Sequence, residues 1–319
     1  MLLNYLKTAI RNFKKSIFYS AINIFGLAFG FTCVIIIFLF IQDELKYDDY
    51  HEKGERIYRQ MKMGASNRSP ITPGVFYKYE QAGVPGIETL CMLRLSGYVL
   101  KVEENILADQ RVLIADTNLF KLFSWDVVAG NPSEALKNVN QIILTSSSAK
   151  KYFGMQSPLG KEVLLHNSYS ARVAAVIEDP SPHSHFNFDV IVPIHFMEEI
   201  NPSALTNWGN SSFNYYCLLY PNADPGKVSQ DIYKCWQKNA PEGEKGTTPV
   251  MLQALKDIHL HSDDVRWEIQ EQGSITTVRI LGISAALILA LACINFINLS
   301  TAFGNQRRNP LVMKQEIKK

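Results

Sequence analysis

Two stretches without one charged side chain bracket this chain, residues 16–41 (SIFYSAINIFGLAFGFTCVIIIFLFI) and 280–303 (ILGISAALILALACINFINLSTAF). Each exceeds the ~20 residues an α-helix needs to cross the hydrocarbon core of a bilayer. Lipid offers a bare backbone no hydrogen bonds, so segments of this length and polarity read as spanning helices. The expected organisation is a cytoplasmic amphipathic helix over 1–15, a first transmembrane helix over 16–41, one large domain over 42–278, a second transmembrane helix over 279–303 and a short tail over 304–319. No single soluble globule accommodates that pattern.

The flanks give the orientation. Residues 1–15 carry Lys7, Arg11, Lys14 and Lys15 and no acid, whereas directly after the first span Asp43, Glu44, Asp48, Asp49, Glu52 and Glu55 outnumber Lys46 and Lys53. After the second span come Arg307, Arg308, Lys314, Lys318 and Lys319 against Glu316 alone. The positive-inside rule counts Lys and Arg in short flanks, so both termini are expected in the cytoplasm and residues 42–278 on the far side of the membrane. The net charge of +2 conceals this asymmetry and gives no reason to expect nucleic acid. The first apolar core is too long for a cleaved signal, and no small-x-small site precedes the acidic DELKYDD, so an uncleaved anchor is expected. Ahead of it, Leu3, Leu6, Ile10, Phe13 and Ile17 recur at spacings of three and four, with Lys7, Arg11 and Lys14 on another face. That pattern suits a helix lying in the cytoplasmic interface, its basic face toward lipid headgroups; a bare topology signal is the alternative.

Inside the spans, Gly26 and Gly30 form one small-x-x-x-small face, and Gly282, Ala286 and Ala290 form another. Such faces let helices approach closely, which matters where apolar burial does not drive association, although small residues are common in spans in any case. Asn295 and Asn298, near the cytoplasmic end of the second span, are expected to face a helix or a watery crevice rather than lipid.

Residues 42–278 are numerous enough for a sizeable core or two subdomains. Their periodicity is mixed. Strands are expected over 56–64, 90–102, 111–115, 141–145, 162–165, 171–177, 213–220 and 250–255, and helices over 72–82, 146–153 and 228–239. Strands interleaved with helices on two or more short sheets make an α+β domain. Of five cysteines, Cys33 and Cys293 lie in spans; Cys91, Cys217 and Cys235 cannot all pair, and no short metal-type spacing links them.

Catalytic patterns fail on inspection. GMQSPLGKE (154–162) is one residue too long for a phosphate-binding loop and has Glu162 where Ser or Thr would hold magnesium. HEKGE (51–55) lacks the second histidine of a zinc protease. His183 with His185, and His259 with His261, Asp263 and Asp264, have ligating side chains, yet isolated His-x-His pairs are more often capping or solvated residues. No Gly-x-Ser-x-Gly elbow occurs. Neither an enzyme nor a bound metal or cofactor is expected.

NYLKTAIRNFKKSIFYSAINIFGLAFGF, DELKYDDYHEKGERIYRQ, LFKLFSWDVVAGNPSEAL, IILTSSSAKKYFGMQSPLGKEV, VAAVIEDPSPHSHFNFDVIV and LKDIHLHS follow one another along the chain. With LILALACINFINLSTA after them, this order resembles the N-terminal part of MacB/FtsX-type ABC transporter permeases, particularly those of Bacteroidota. The resemblance implies a membrane α plus α+β architecture. Residues 42–278 would be a MacB-like periplasmic core domain, with a porter-like α/β part and an inserted small β-rich part. It implies a permease in the bacterial inner membrane that couples ATP hydrolysis by a separate cytoplasmic ABC ATPase to periplasmic movement for export or efflux. The implied partners are that ATPase, a second permease in a homodimer or heterodimer, and a periplasmic adaptor or outer-membrane exit protein. The basic face of Lys7, Arg11 and Lys14 would meet lipid or the ATPase. The family continues after the second span with a cytoplasmic coupling segment and further spans, where this sequence has FGNQRRNPLVMKQEIKK, so a fragment of a longer permease is expected. The competing class is a two-span anchored receptor with an exported ligand-binding domain.

Overall fold

The computed structural model describes residues 17–64, 67–166, 168–245, 250–269 and 272–316, with 19, 20, 23 and 299–316 as backbone only. Lys7, Arg11 and Lys14 lie outside the described residues. Two compact units emerge, one built from the two long helices and the other from Lys46–Ser274. Each is described by itself.

The helical unit pairs α1 (Ile17–Glu44) with the last helix of the chain, Ile275–Glu316. Both contain stretches long and apolar enough to cross a membrane. Helical hydrogen bonding does not stop where charges begin, so α1 continues through Asp43 and Glu44, and the last helix runs on through Arg307 and Arg308. The segment expected as a separate tail is therefore helical as far as Glu316, and the intervening unit is narrower than the expected 42–278.

The helices pass closely at glycine. Gly30 is buried, and a Cβ there would stand 3.1 Å from the Ala292 Cβ. A Cβ at Gly26 would meet Asn295 Nδ2 at 3.4 Å, and one at Gly282 would meet Ile41 Cδ1 at 3.8 Å. Ala286 and Ala290 are exposed in this helix pair, as are Asn295 and Asn298. Each four-residue step overshoots a full turn by about 40°, so the row 282–286–290 winds away from the neighbouring helix. Alternating steps through Ala285, Ile288 and Ala292 stay on the facing side.

The second unit is a mixed α+β domain around one twelve-stranded sheet, counted among the described residues, in the order β12-β1-β11-β4-β5-β10-β7-β9-β6. The strands are β1 (Ile57–Met63), β2 (Arg68–Ser69), β3 (Ile71–Pro73), β4 (Ile87–Val102), β5 (Asn105–Ala115), β6 (Val127–Gly130), β7 (Gln141–Thr145), β8 (Glu162–Leu165), β9 (Tyr169–Ile177), β10 (Val190–Pro193), β11 (Ser211–Leu219) and β12 (Val250–Ala254). Separate short sheets were the expectation. They are joined because β10 lies parallel to β5 and antiparallel to β7, and β8 bridges β4 and β9.

Successive strand residues point to opposite faces, and here both faces are covered. Met92, Val112, Ile142, Val190 and Tyr215 lie on one side with Val228, Ile232 and Trp236. Leu93, Leu113, Ile143, Ile191 and Tyr216 lie on the other with Phe123, Phe186 and Ile258. Double coverage is why VIVP and the centre of QIILT are continuously apolar rather than alternating. Of the helices, α2 (Tyr77–Gly83) starts later than expected because residues 71–73 pair with β11 as β3. Helix α3 (Ser146–Phe153) matches its expected bounds and is capped by Thr145, whose hydroxyl oxygen accepts from Ser148 N at 3.3 Å. Helix α4 (Pro225–Asn239) opens with Asp224 accepting from Gly226 N at 2.8 Å, and Pro225 supplies a preset first turn.

Candidate functional site

On the second face of the sheet, polar side chains sit where only apolar ones would be expected. Strand alternation puts Arg59 on the same side as Ile57, and pairing register places Tyr216 opposite it on β11 and Gln253 opposite it on β12. Arg59 is fully buried. A buried guanidinium is costly unless its donors are met, and of its three nitrogens only Nε lacks a partner. Two go to the Glu268 carboxylate, Nη1 to Oε2 at 2.7 Å and Nη2 to Oε1 at 2.6 Å. Nη2 also donates to Gln253 Oε1 at 2.8 Å and Ser262 Oγ at 3.3 Å. The fork geometry of arginine suits this bidentate grip, which lysine could not reproduce.

Next to Arg59 runs a second buried line. His185 Nε2 lies 2.8 Å from the Tyr216 hydroxyl, and its Nδ1 lies 2.9 Å from Asp48 Oδ1, which also accepts from His185 N at 3.2 Å. All three residues are buried. Asp48 sits at φ 61°, a left-handed turn that aspartate tolerates better than most residues, and its N–H donates to His183 O at 2.8 Å. His51 packs beside it, its Nδ1 accepting from Ser124 N at 3.1 Å, so Nε2 carries the proton. Burial pushes His51 down to about 4 and holds it neutral. Phe123 closes the node, its ring centroid 5.1 Å from His51, 5.3 Å from Phe186 and 5.3 Å from Tyr216.

These contacts fasten the ends of the domain to its sheet. Asp48 follows the first long helix by a short turn, and Glu268 shortly precedes the second. The sequence distances bridged are 137 residues for Asp48–His185 and 209 for Arg59–Glu268. Tyr47 adds a stacked contact with His259, centroids 3.3 Å apart.

The sequence motifs sort accordingly. Asp48, His51, Arg59, Phe123, His185 and Ser262 come from the strings DELKYDDYHEKGERIYRQ, LFKLFSWD, HSHFNFD and LKDIHLHS, which meet here. His183 and His185 are not joined to His261, Asp263 and Asp264: Asp264 pairs with Arg68, and Asp263 accepts from Ser274 Oγ at 2.8 Å. No group of three or more metal-ligating side chains converges among the described residues. Tyr216 and Glu268 were not singled out in the sequence; an arginine inside a strand that alternates toward the core was the available signal. Cys91 and Cys217 are buried thiols and Cys235 is half-buried, with no disulfide among them.

On the opposite face, Gln60 donates to Glu80 of α2. Burial pushes Glu80 up to about 8. Asp116, raised by burial, accepts from Tyr77, from Met92 N at 3.0 Å and from Asn118 N at 2.8 Å, pinning the turn after β5.

A domain of a permease-type protein from Porphyromonas gingivalis superposes with a TM-score of 0.57 at 22% identity, covering 69% of this chain and 100% of that one. The periplasmic region of MacB from Actinobacillus actinomycetemcomitans gives 0.46 at 12% identity, covering 64% and 91%. The extracellular domain of the noncanonic ABC-type transporter YknZ from Gram-positive bacteria gives 0.46 at 14% identity, covering 62% and 99%. No curated protein matches the sequence. Residues 20–234, well over half of the chain, match the family described as the MacB-like periplasmic core domain. The chain belongs to that family.

Proposed function

We propose that this chain acts as a permease subunit of an ABC transporter, with both termini cytoplasmic and Lys46–Ser274 in the periplasm. Hydrolysis by a separate cytoplasmic ATPase would move that domain for export or efflux, in a dimer of permeases. The observation that carries the reading is the buried node, because Glu268 binds Arg59 of β1 while Asp48 binds His185, itself bonded to Tyr216 of the adjacent β11. A pull arriving at either end of the domain meets residues held by buried polar bonds. Breaking a buried ion pair by removing one partner costs ~3–5 kcal/mol, so the joint is stiff on the scale of one domain's stability. Movement between two states, rather than chemistry in the chain, is then the mode of action.

The test is to produce the gene's whole product with an ATPase encoded beside it, in nanodiscs, and measure hydrolysis. Stimulation by the wild type that falls severalfold in Arg59→Leu, with assembly intact, supports the reading. Equal hydrolysis with and without the permease overturns it and favours a two-span receptor.

A further inference from the structure

An open cavity of about 570 Å³ lies within the domain, lined from the turn before Glu52, from residues 120–127 and from residues 178–181. Three half-buried rings, Tyr50, Phe120 and Trp125, form its wall. They are held in place: Phe120 meets Trp125 edge-on with centroids 5.8 Å apart, Phe123 backs Trp125 at 5.7 Å, and Tyr50 donates to Ser184 Oγ at 3.1 Å. The exposed side chains of Glu52, Asp126 and Glu178 line the same cavity, and no lysine or arginine does. Asp179 is engaged elsewhere, accepting from Ser147 N at 3.0 Å.

Aromatic faces attract cations through their quadrupoles, most strongly where water is partly excluded, and nearby carboxyl groups add to the pull. A hard divalent metal would gain nothing from the rings and would want several converging oxygens, which the described residues do not offer. An anion would meet the carboxylates with no lysine or arginine in the lining to offset them. We infer that this cavity binds an organic cation with an apolar body, its ammonium or guanidinium group toward Glu52, Asp126 and Glu178 and its body against Phe120 and Trp125. The inference does not depend on coupling to an ATPase.

The test uses the full chain in nanodiscs of zwitterionic lipid, with benzyltrimethylammonium as probe and phenylmethanesulfonate as a similarly shaped anion, binding being read by calorimetry. The cation should bind saturably and the anion not at all. Asp126→Asn/Glu178→Gln should weaken the cation at least fivefold, and Trp125→Leu by a similar factor. The carboxyl substitutions are on exposed positions, so an unchanged thermal midpoint keeps that arm interpretable if Trp125→Leu misfolds. Absence of saturable cation binding, equal binding of cation and anion, or an unaltered affinity in the double carboxyl variant would overturn the inference.

Discussion

Replacing Arg59 by leucine tests whether the node is one coupled unit. The guanidinium is fully buried and makes two bonds to Glu268, whose side chain is 13% exposed, plus one each to Gln253 and Ser262. Its removal leaves a nearly buried carboxylate and an amide oxygen without their donor. Breaking such a pair costs ~3–5 kcal/mol. For a domain of this size each kcal/mol lowers the melting temperature by about 2–4 °C, so a drop of roughly 6–20 °C is expected. Glu268→Leu alone should be at least as harmful, since it strands the more deeply buried charge. The double variant Arg59→Leu/Glu268→Leu removes both charges and should be more stable than the sum of the single losses by ~2 kcal/mol or more. Urea unfolding of Lys46–Ser274, followed by tryptophan fluorescence, measures all four proteins. Single losses that add to the double within ~0.5 kcal/mol would show that the two residues act independently, and the coupled-node argument would fail.

Residues 46–274 expressed alone should unfold in one cooperative transition, because they form a compact unit with a core on both sheet faces; a monodisperse sample without such a transition contradicts this. Within it, Glu80 has its carboxyl raised from 4.5 to about 8 by burial, so folding takes up a proton between those values. The stability this group supplies is complete below about pH 4.5 and lost as pH rises through 8, amounting to roughly 3 kcal/mol by pH 7. Glu80→Gln should therefore gain on the wild type as pH rises, and a pH-independent difference between the two would refute it. For topology, a lone cysteine at Met155, which is 97% exposed, should react with an impermeant thiol reagent in intact cells, and one at Gln315 should not; the reverse labelling would invert the orientation. Gly30→Leu should lower the yield of a disulfide engineered between positions 26 and 295, since even a Cβ at Gly30 crowds Ala292; an undiminished yield would mean the helices do not depend on that approach.

Much of the architecture was legible before any coordinates. Length and absence of charge mark the two long helices, and the flanking lysines and arginines carry the orientation argument. QIILT and the helix expected directly after it, over 146–153, are β7 and α3 at their observed bounds. The reason is that hydropathy, periodicity and caps are local properties, written within a turn or a strand. Strands β2, β3, β6 and β10 escaped because runs of two to four residues carry little period to read, although β8, as short as β6 and β10, was expected at its observed bounds.

The node is different in kind. Apart from Arg59, which stands inside a strand that alternates toward the core, its polar members carry no mark in the sequence that sets them apart. Arg59 becomes a buried bridge only because β1 lies between β11 and β12 in a register that sets Tyr216 and Gln253 on either side of it. Asp48 acquires its role only when the loop before β10 brings His185 across 137 residues of chain. By itself the sequence determined the two long apolar helices and most of the longer strands, since short-range chemistry decides those. Tertiary structure alone decided which polar residues would leave water together, because that depends on strand order and register, and pairing partners more than a hundred residues apart leave no local trace.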